Sequence, residues 1–280
     1  MLAALCVMVV RSVRWQLGTV RPPRGLVTRA HAADLGELTD AAFVTSDGIT
    51  LRGWYHPSTN RAAVVLAHGW AGTREQLLPE ARILARHGYG VLLFDWRAHG
   101  ESGGDKCTWG DAEKRDLVAA LDYMRTRVDV DPERVGAIGF SFGGGVVIDV
   151  AAVDRRLKGI VTEGTTPTLA QIIHENAGRS KLIAGPAARW AMGRELDIDA
   201  VRPVDHVCAV HPRPILIING DDQKDQPERM AKELFDAACE PKEYWHLAGA
   251  GHGDYAVVAP EELERRLVAF FDAALSVGAR

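Results

Sequence analysis

Two rhythms alternate along this chain: short, nearly unbroken apolar runs, and longer stretches in which apolar residues return every three or four positions. Residues 42–46 and 49–55 are β-prone runs around Asp47-Gly48, a strong hairpin signal. Residues 62–67 and 89–95 are almost wholly apolar, as expected of strands covered by helices on both faces. Further strand-length segments lie at 135–140, 157–162, 214–219 and 242–247. Between them, residues 73–87 put Leu77, Ala81, Leu84 and Ala85 on one helical face and stop at Gly88. Residues 111–128 align Leu117, Leu121, Met124 and Val128, and helices follow at 227–238 and 261–277, the last packing Leu263, Leu267, Phe270, Phe271 and Leu275. Strands alternating with amphipathic helices predict an α/β fold, a mostly parallel central sheet with helices on both faces.

Residues 167–213 break this rhythm. They are partly helical (169–176 and 187–193) and turn-prone at Arg202-Pro203 and His211-Pro212. The stretch reads as a small cap insert over the carboxyl ends of the strands, where open α/β sheets hold their ligands. One domain is therefore expected over residues 40–280, preceded by an arm and linker at 1–39.

Composition narrows the function classes. A chain of 280 residues can bury roughly three quarters of its unfolded surface in one large domain. Its net charge of −4 gives no electrostatic footprint for nucleic acid. Cys6, Cys107, Cys208 and Cys239 lack paired spacing and read as free thiols in a reducing, cytoplasmic setting; no metal or cofactor is expected. The amino-terminal ten residues are apolar, and five arginines follow before the first acidic residue, Asp34. Ten apolar residues are too few for a spanning helix, which needs about 20. An apolar end followed by arginines suits an anionic membrane surface, so residues 1–29 are a candidate for weak membrane association. A helix packed on the domain or an organelle transit peptide fits the same composition. Residues 1–33 are expected to lie outside the catalytic unit.

Chemistry concentrates at Gly139-Phe140-Ser141-Phe142-Gly143. An apolar run enters it and small and β-branched residues leave it at helical spacing, the strand, sharp turn and helix of a nucleophile elbow. Such a turn requires glycine two residues either side of the serine, because side chains there would collide. It lifts the Ser141 hydroxyl off the sheet and aims the Phe142 N–H and the helix N-terminus at whatever binds above, favouring an oxyanion. A serine needs a base. Of the ten histidines, His252 stands in a glycine-rich loop after the last strand, where it can reach across the sheet top. His246 lies inside a strand, His87 closes a helix, and His68 and His99 open turns, positions that are more often structural.

The ordered set His68-Gly69-Trp70, Asp95 through Ser102, the Ser141 elbow, residues 214–220 with their acidic loop, and Gly251-His252 resembles the α/β-hydrolase superfamily over residues 40–277. It looks most like the small-cap serine hydrolases related to dienelactone hydrolases and prolyl-oligopeptidase-type catalytic domains. The resemblance implies that Ser141 is the nucleophile and His252 the general base. It also implies that the backbone N–H groups of Phe142 and Trp70 form the oxyanion hole, and that Asp95 and Arg97 are structural. The acid departs from the family pattern: Gln223 occupies its usual place between Gly220 and Pro227. Asp222 is favoured as the replacement because it lies nearer the strand end; Asp225 is the alternative and Glu163 a more distant one. The expected activity is cleavage of carboxylic esters, with thioesters and short peptides open to the same machinery and a small acyl compound as the partner. The competing class is a weakened hydrolase fold that binds a small ligand or acts as a scaffold, supported by Gln223.

Overall fold

A computed structural model describes residues 2–176, 181–221 and 227–276, with some side chains of the helices at 2–18 and 181–192 left out. Helix α1 (Leu2–Gly18) comes first, then the hairpin β1 (Thr39–Val44) and β2 (Thr50–His56). Strands and helices alternate from there: β3 (Ala63–Ala67), α2 (Leu78–Arg86), β4 (Gly90–Phe94), α3 (Glu113–Arg125), β5 (Val135–Phe140), α4 (Phe142–Val153) and β6 (Leu157–Glu163). Helices α5 (Leu169–Asn176), α6 (Lys181–Met192) and α7 (Pro203–His206) interrupt the alternation. It resumes with β7 (Ile215–Asn219), α8 (Glu228–Ala237), β8 (Lys242–His246), α9 (Tyr255–Val258) and α10 (Pro260–Ala274).

The described strands form one sheet in the order β1-β2-β4-β3-β5-β6-β7-β8. The β1–β2 and β2–β4 pairs are antiparallel and the remaining pairs parallel. Strands β3, β4, β5 and β7 are buried along their whole length, which explains their unbroken apolar sequences. One face packs Val65, Phe94, Ala137 and Ile217 under α3 and α4. The other packs Val64, Leu66, Ile138 and Leu216 under α2 and α10. Helix α4 is buried on nearly every side, from Phe142 to Ala151, as a helix embedded in the core must be.

Several expectations differ from the structure. Helix α3 ends at Arg125, so Val128 leaves the apolar stripe and stands 90% exposed. Cys208 and Cys239 form a disulfide, which corrects their reading as free thiols. The 3-10 turn after α7 and the chain leaving α8 bring their Cα atoms to 4.5 Å, a tertiary proximity that a separation of 31 residues does not announce. With this pair bonded, the cysteines no longer point to a reducing compartment. Cys6 and Cys107 are free.

The amino-terminal segment is docked. Helix α1 packs on α6, Val20 is fully buried in a cluster with Leu169, Ile173, Met192 and Ile198, and Ala32 and Leu35 pack under α2 in a 3-10 helix. Arg24 donates to the carbonyls of Gly100 and Ser102. Among the described residues no helix is long and apolar enough to cross a membrane.

Candidate functional site at the carboxyl edge of the sheet

Five loops converge where β3, β4, β5, β6 and β8 end, and their glycines fix the distances between them. Ser141 joins β5 to α4 with φ 53° and ψ −119°, a conformation that is costly for any residue with a side chain. A Cβ on Gly139 would sit 2.5 Å from Gly144 Cα, and one on Gly143 only 2.2 Å from the Ala67 carbonyl oxygen. A side chain at either position forces the neighbouring backbone to shift, and the tight turn read from the sequence is present. The Ser141 N–H donates to the Glu163 carbonyl at 2.7 Å, tying the elbow to the end of β6. Phe142 opens α4, whose first N–H groups have no partner within the helix.

The His68–Gly72 loop after β3 is held from several sides. Buried His68 donates from Nδ1 to the Gly69 carbonyl at 2.7 Å and accepts the Trp96 N–H on Nε2 at 3.2 Å. Burial, reinforced by neighbouring His99, pushes His68 down to about 3, so it is a neutral structural imidazole. Gln76 accepts the Gly69 N–H at 2.8 Å. Trp70 follows, with its indole N–H donated to the Thr19 carbonyl at 2.8 Å.

Asp95 and Arg97 shape the next loop. Asp95 accepts the Arg74 N–H and guanidinium and the Glu101 N–H. Arg97 binds Asp116, fully buried on α3, and Asp47 of the hairpin turn. Each carboxylate here is paired with a cation, as buried charge requires.

The structure brings His252 to the elbow side. Its ring lies 4.6 Å from the ring of Phe140, the residue before Ser141. Its Nδ1 would meet a Cβ on Gly164 at 2.7 Å, and Gly164 (φ 56°) follows the Glu163 that binds the Ser141 N–H. The preceding turn is tied by Asp221, whose N–H donates to the Ala250 carbonyl and whose carboxylate accepts the Gly249 N–H, each at 2.8 Å. Asp222, Gln223 and Asp225 lie outside the described residues.

Glu163 points into the core. It is 1% exposed, within electrostatic reach of Glu80 on α2 and Tyr255 on α9. Burial raises the Glu163 carboxyl well above its ordinary range, and the Glu80 charge adds to the effect; burial brings Glu80 to about 7. Among the described residues, Glu163 Oε1 and Glu80 Oε2 have no hydrogen-bond partner.

A narrow slot runs from Ser141 under the cap, walled by Trp109, Leu169, Ile172, Val201 and Pro203. Of the cap residues with apolar side chains, Ile172 lines the slot, Ile173 and Met192 pack into the cap's own core, and Trp190 is exposed. Trp109 and Thr19 carried no recognisable motif, and their place here depends on tertiary contacts. The positive φ of Trp109 is a signal only the backbone gives.

A family model described as "alpha/beta hydrolase fold" matches residues 62–180. Uncharacterized protein Rv2307c of Mycobacterium tuberculosis is 32% identical over 82% of this chain and 75% of its own length. Thiohydrolase aneE of Aspergillus aculeatus is 32% identical over 65% of this chain and 60% of its own. Among solved structures, the Pyrococcus furiosus esterase Pf2001 superposes with a TM-score of 0.77 at 24% identity, covering 92% of this chain and 98% of that one.

Proposed function

The chain belongs to the α/β-hydrolase superfamily, and from that premise we propose that it is a serine hydrolase cleaving carboxylic esters, thioesters included, through an acyl-enzyme on Ser141. The observation that carries the reading is the backbone of Ser141, held at φ 53° between two glycines where a side chain would force the neighbouring backbone to shift. A binding protein gains nothing from such strain, whereas a nucleophile lifted over a helix N-terminus does.

In this reading the Ser141 Oγ attacks the substrate carbonyl carbon and His252 takes its proton. The oxyanion that forms is met by the Phe142 N–H at the start of α4 and by the Trp70 N–H. Collapse breaks the bond to the leaving alcohol or thiol, which receives the proton from His252. Water then attacks the acyl-enzyme with His252 again as base, releasing the acid and restoring Ser141. An acid on the loop after β7, Asp222 in preference to Asp225, orients His252. The name of the Aspergillus relative supports including thioesters.

Wild type and Ser141→Ala are to be compared on p-nitrophenyl acetate and on an acyl thioester. Turnover is expected to fall in the variant by at least a thousandfold with the thermal midpoint retained. Undiminished turnover in a folded Ser141→Ala protein would overturn the proposal.

A further inference from the structure

The slot above Ser141 has a volume of only 20 Å³, room for about one water molecule. Its inner wall is the Trp109 indole, which meets Phe142 edge-on at 5.9 Å and stacks on Trp70 at 6.0 Å with planes 10° apart. Trp109 is a bulky residue at φ 59°, a conformation that persists only when its surroundings enforce it. Glu113, fully buried, supplies the constraint: it accepts the Thr108 N–H and the Gly110 N–H, each at 2.9 Å, on either side of Trp109.

The second constraint comes from far away in sequence. Thr19 accepts the Trp70 indole N–H on its carbonyl at 2.8 Å and the Trp109 indole N–H on its Oγ1 at 3.2 Å. The Val20 carbonyl accepts the Cys107 N–H at 2.8 Å, and both residues are buried. The segment thus pins both indoles at once, and one of them belongs to the residue whose N–H is assigned to the oxyanion hole.

We propose that the Trp70–Trp109 stack, clamped by Thr19, is an acyl-length filter that restricts the enzyme to short acyl groups such as acetyl and butyryl. The inference rests on the acyl-enzyme reading, since the slot takes an acyl group only if Ser141 carries one. A short acyl group needs a small adjustment of the slot. A longer chain must displace Trp109 against Glu113, Thr19 and the Trp70 stack together. Each methylene accommodated or refused in an apolar pocket is worth roughly 10-fold or more in kcat/KM.

The test measures kcat/KM for p-nitrophenyl acetate, butyrate, hexanoate and octanoate, alongside fluorophosphonate labelling of Ser141. Wild type should lose at least tenfold between butyrate and octanoate. Trp109→Ala should raise the octanoate-to-acetate ratio at least tenfold, while Trp109→Phe, which keeps the bulk, should preserve the short-chain profile. Should Trp109→Ala not fold, Ile172→Ala, at another residue lining the slot, should shift the ratio in the same direction. Labelling with an unchanged ratio in the alanine variant would overturn the filter and leave the serine hydrolase standing. Absence of both labelling and turnover in the wild type would overturn the acyl-enzyme reading and the filter with it.

Discussion

Gly143→Ala perturbs the site by a single methyl group whose effect follows from distances. The added Cβ would lie 2.2 Å from the Ala67 carbonyl oxygen and 2.5 Å from that of His68. Carbon and oxygen normally approach no closer than about 3.3 Å, so the two backbones must part by about 1 Å. Neither can give way alone. Ala67 ends β3, paired on both sides by β4 and β5, and His68 is fastened to Gly69 and Trp96. The displacement therefore opens the gap between the Phe142 and Trp70 N–H groups. A misplacement of about 1 Å in a catalytic constellation can cost 10²-fold. Overpacking of this kind should also destabilise by about 1–3 kcal/mol. We expect kcat on p-nitrophenyl acetate to fall about a hundredfold with the protein still folded by circular dichroism. Gly145→Ala is the comparator, since its Cβ would meet only Pro203 Cγ at 3.0 Å and should cost less than tenfold. A Gly143→Ala enzyme within threefold of wild type would refute the geometric argument.

Further outcomes are equally specific. Asp222→Asn should lower kcat roughly a thousandfold, as loss of a triad carboxylate does, and Asp225→Asn should do little; if both stay near wild type while Gln223→Asp raises kcat strongly, Asp222 is wrongly assigned. Glu80 is raised by burial to about 7 from 4.5, so the folded state holds its proton where the unfolded chain has released it. Its contribution to stability is complete below about pH 4.5 and is lost as the pH rises towards 7, at up to about 1.4 kcal/mol per pH unit. Urea titrations of Glu80→Gln should accordingly show a shallower fall in stability from pH 5 to 7, and an unchanged slope would count against a buried neutral carboxyl there. A chain starting at Asp34 loses Val20 from the cap core and Thr19 from the two indoles. Its thermal midpoint should drop by several degrees, in keeping with removal of a buried core side chain, whereas an unchanged midpoint would mean that the arm adds nothing to the fold.

What the sequence makes legible is what depends on local pattern. The apolar runs mark β3, β4, β5 and β7 because a strand covered on both faces has no polar side to show. The elbow is legible because its glycines are required by contacts within a few residues, as Gly139 against Gly144 illustrates. Helix ends are less so: Val128 fits the 3.6-residue stripe of α3, yet the helix stops three residues earlier. The features that escaped are those made by long-range contact. Cys208 meets Cys239 only because two helices are neighbours, and Thr19 reaches Trp109 across 90 residues of chain. Glu163 stands at a strand end in the sequence, and only the fold shows it buried within electrostatic reach of Glu80. The docking of the amino-terminal segment through Val20 and Arg24 is another long-range contact that composition does not announce.

Covalent labelling tests the proposed role of Ser141 as the acylated nucleophile without assuming a substrate. The intact protein is to be treated with a fluorophosphonate, digested, and the adduct located by peptide mass spectrometry. One modified peptide is expected, carrying the label on Ser141, with no labelling in Ser141→Ala. A label on another residue, or none in a folded and otherwise intact protein, would contradict that role.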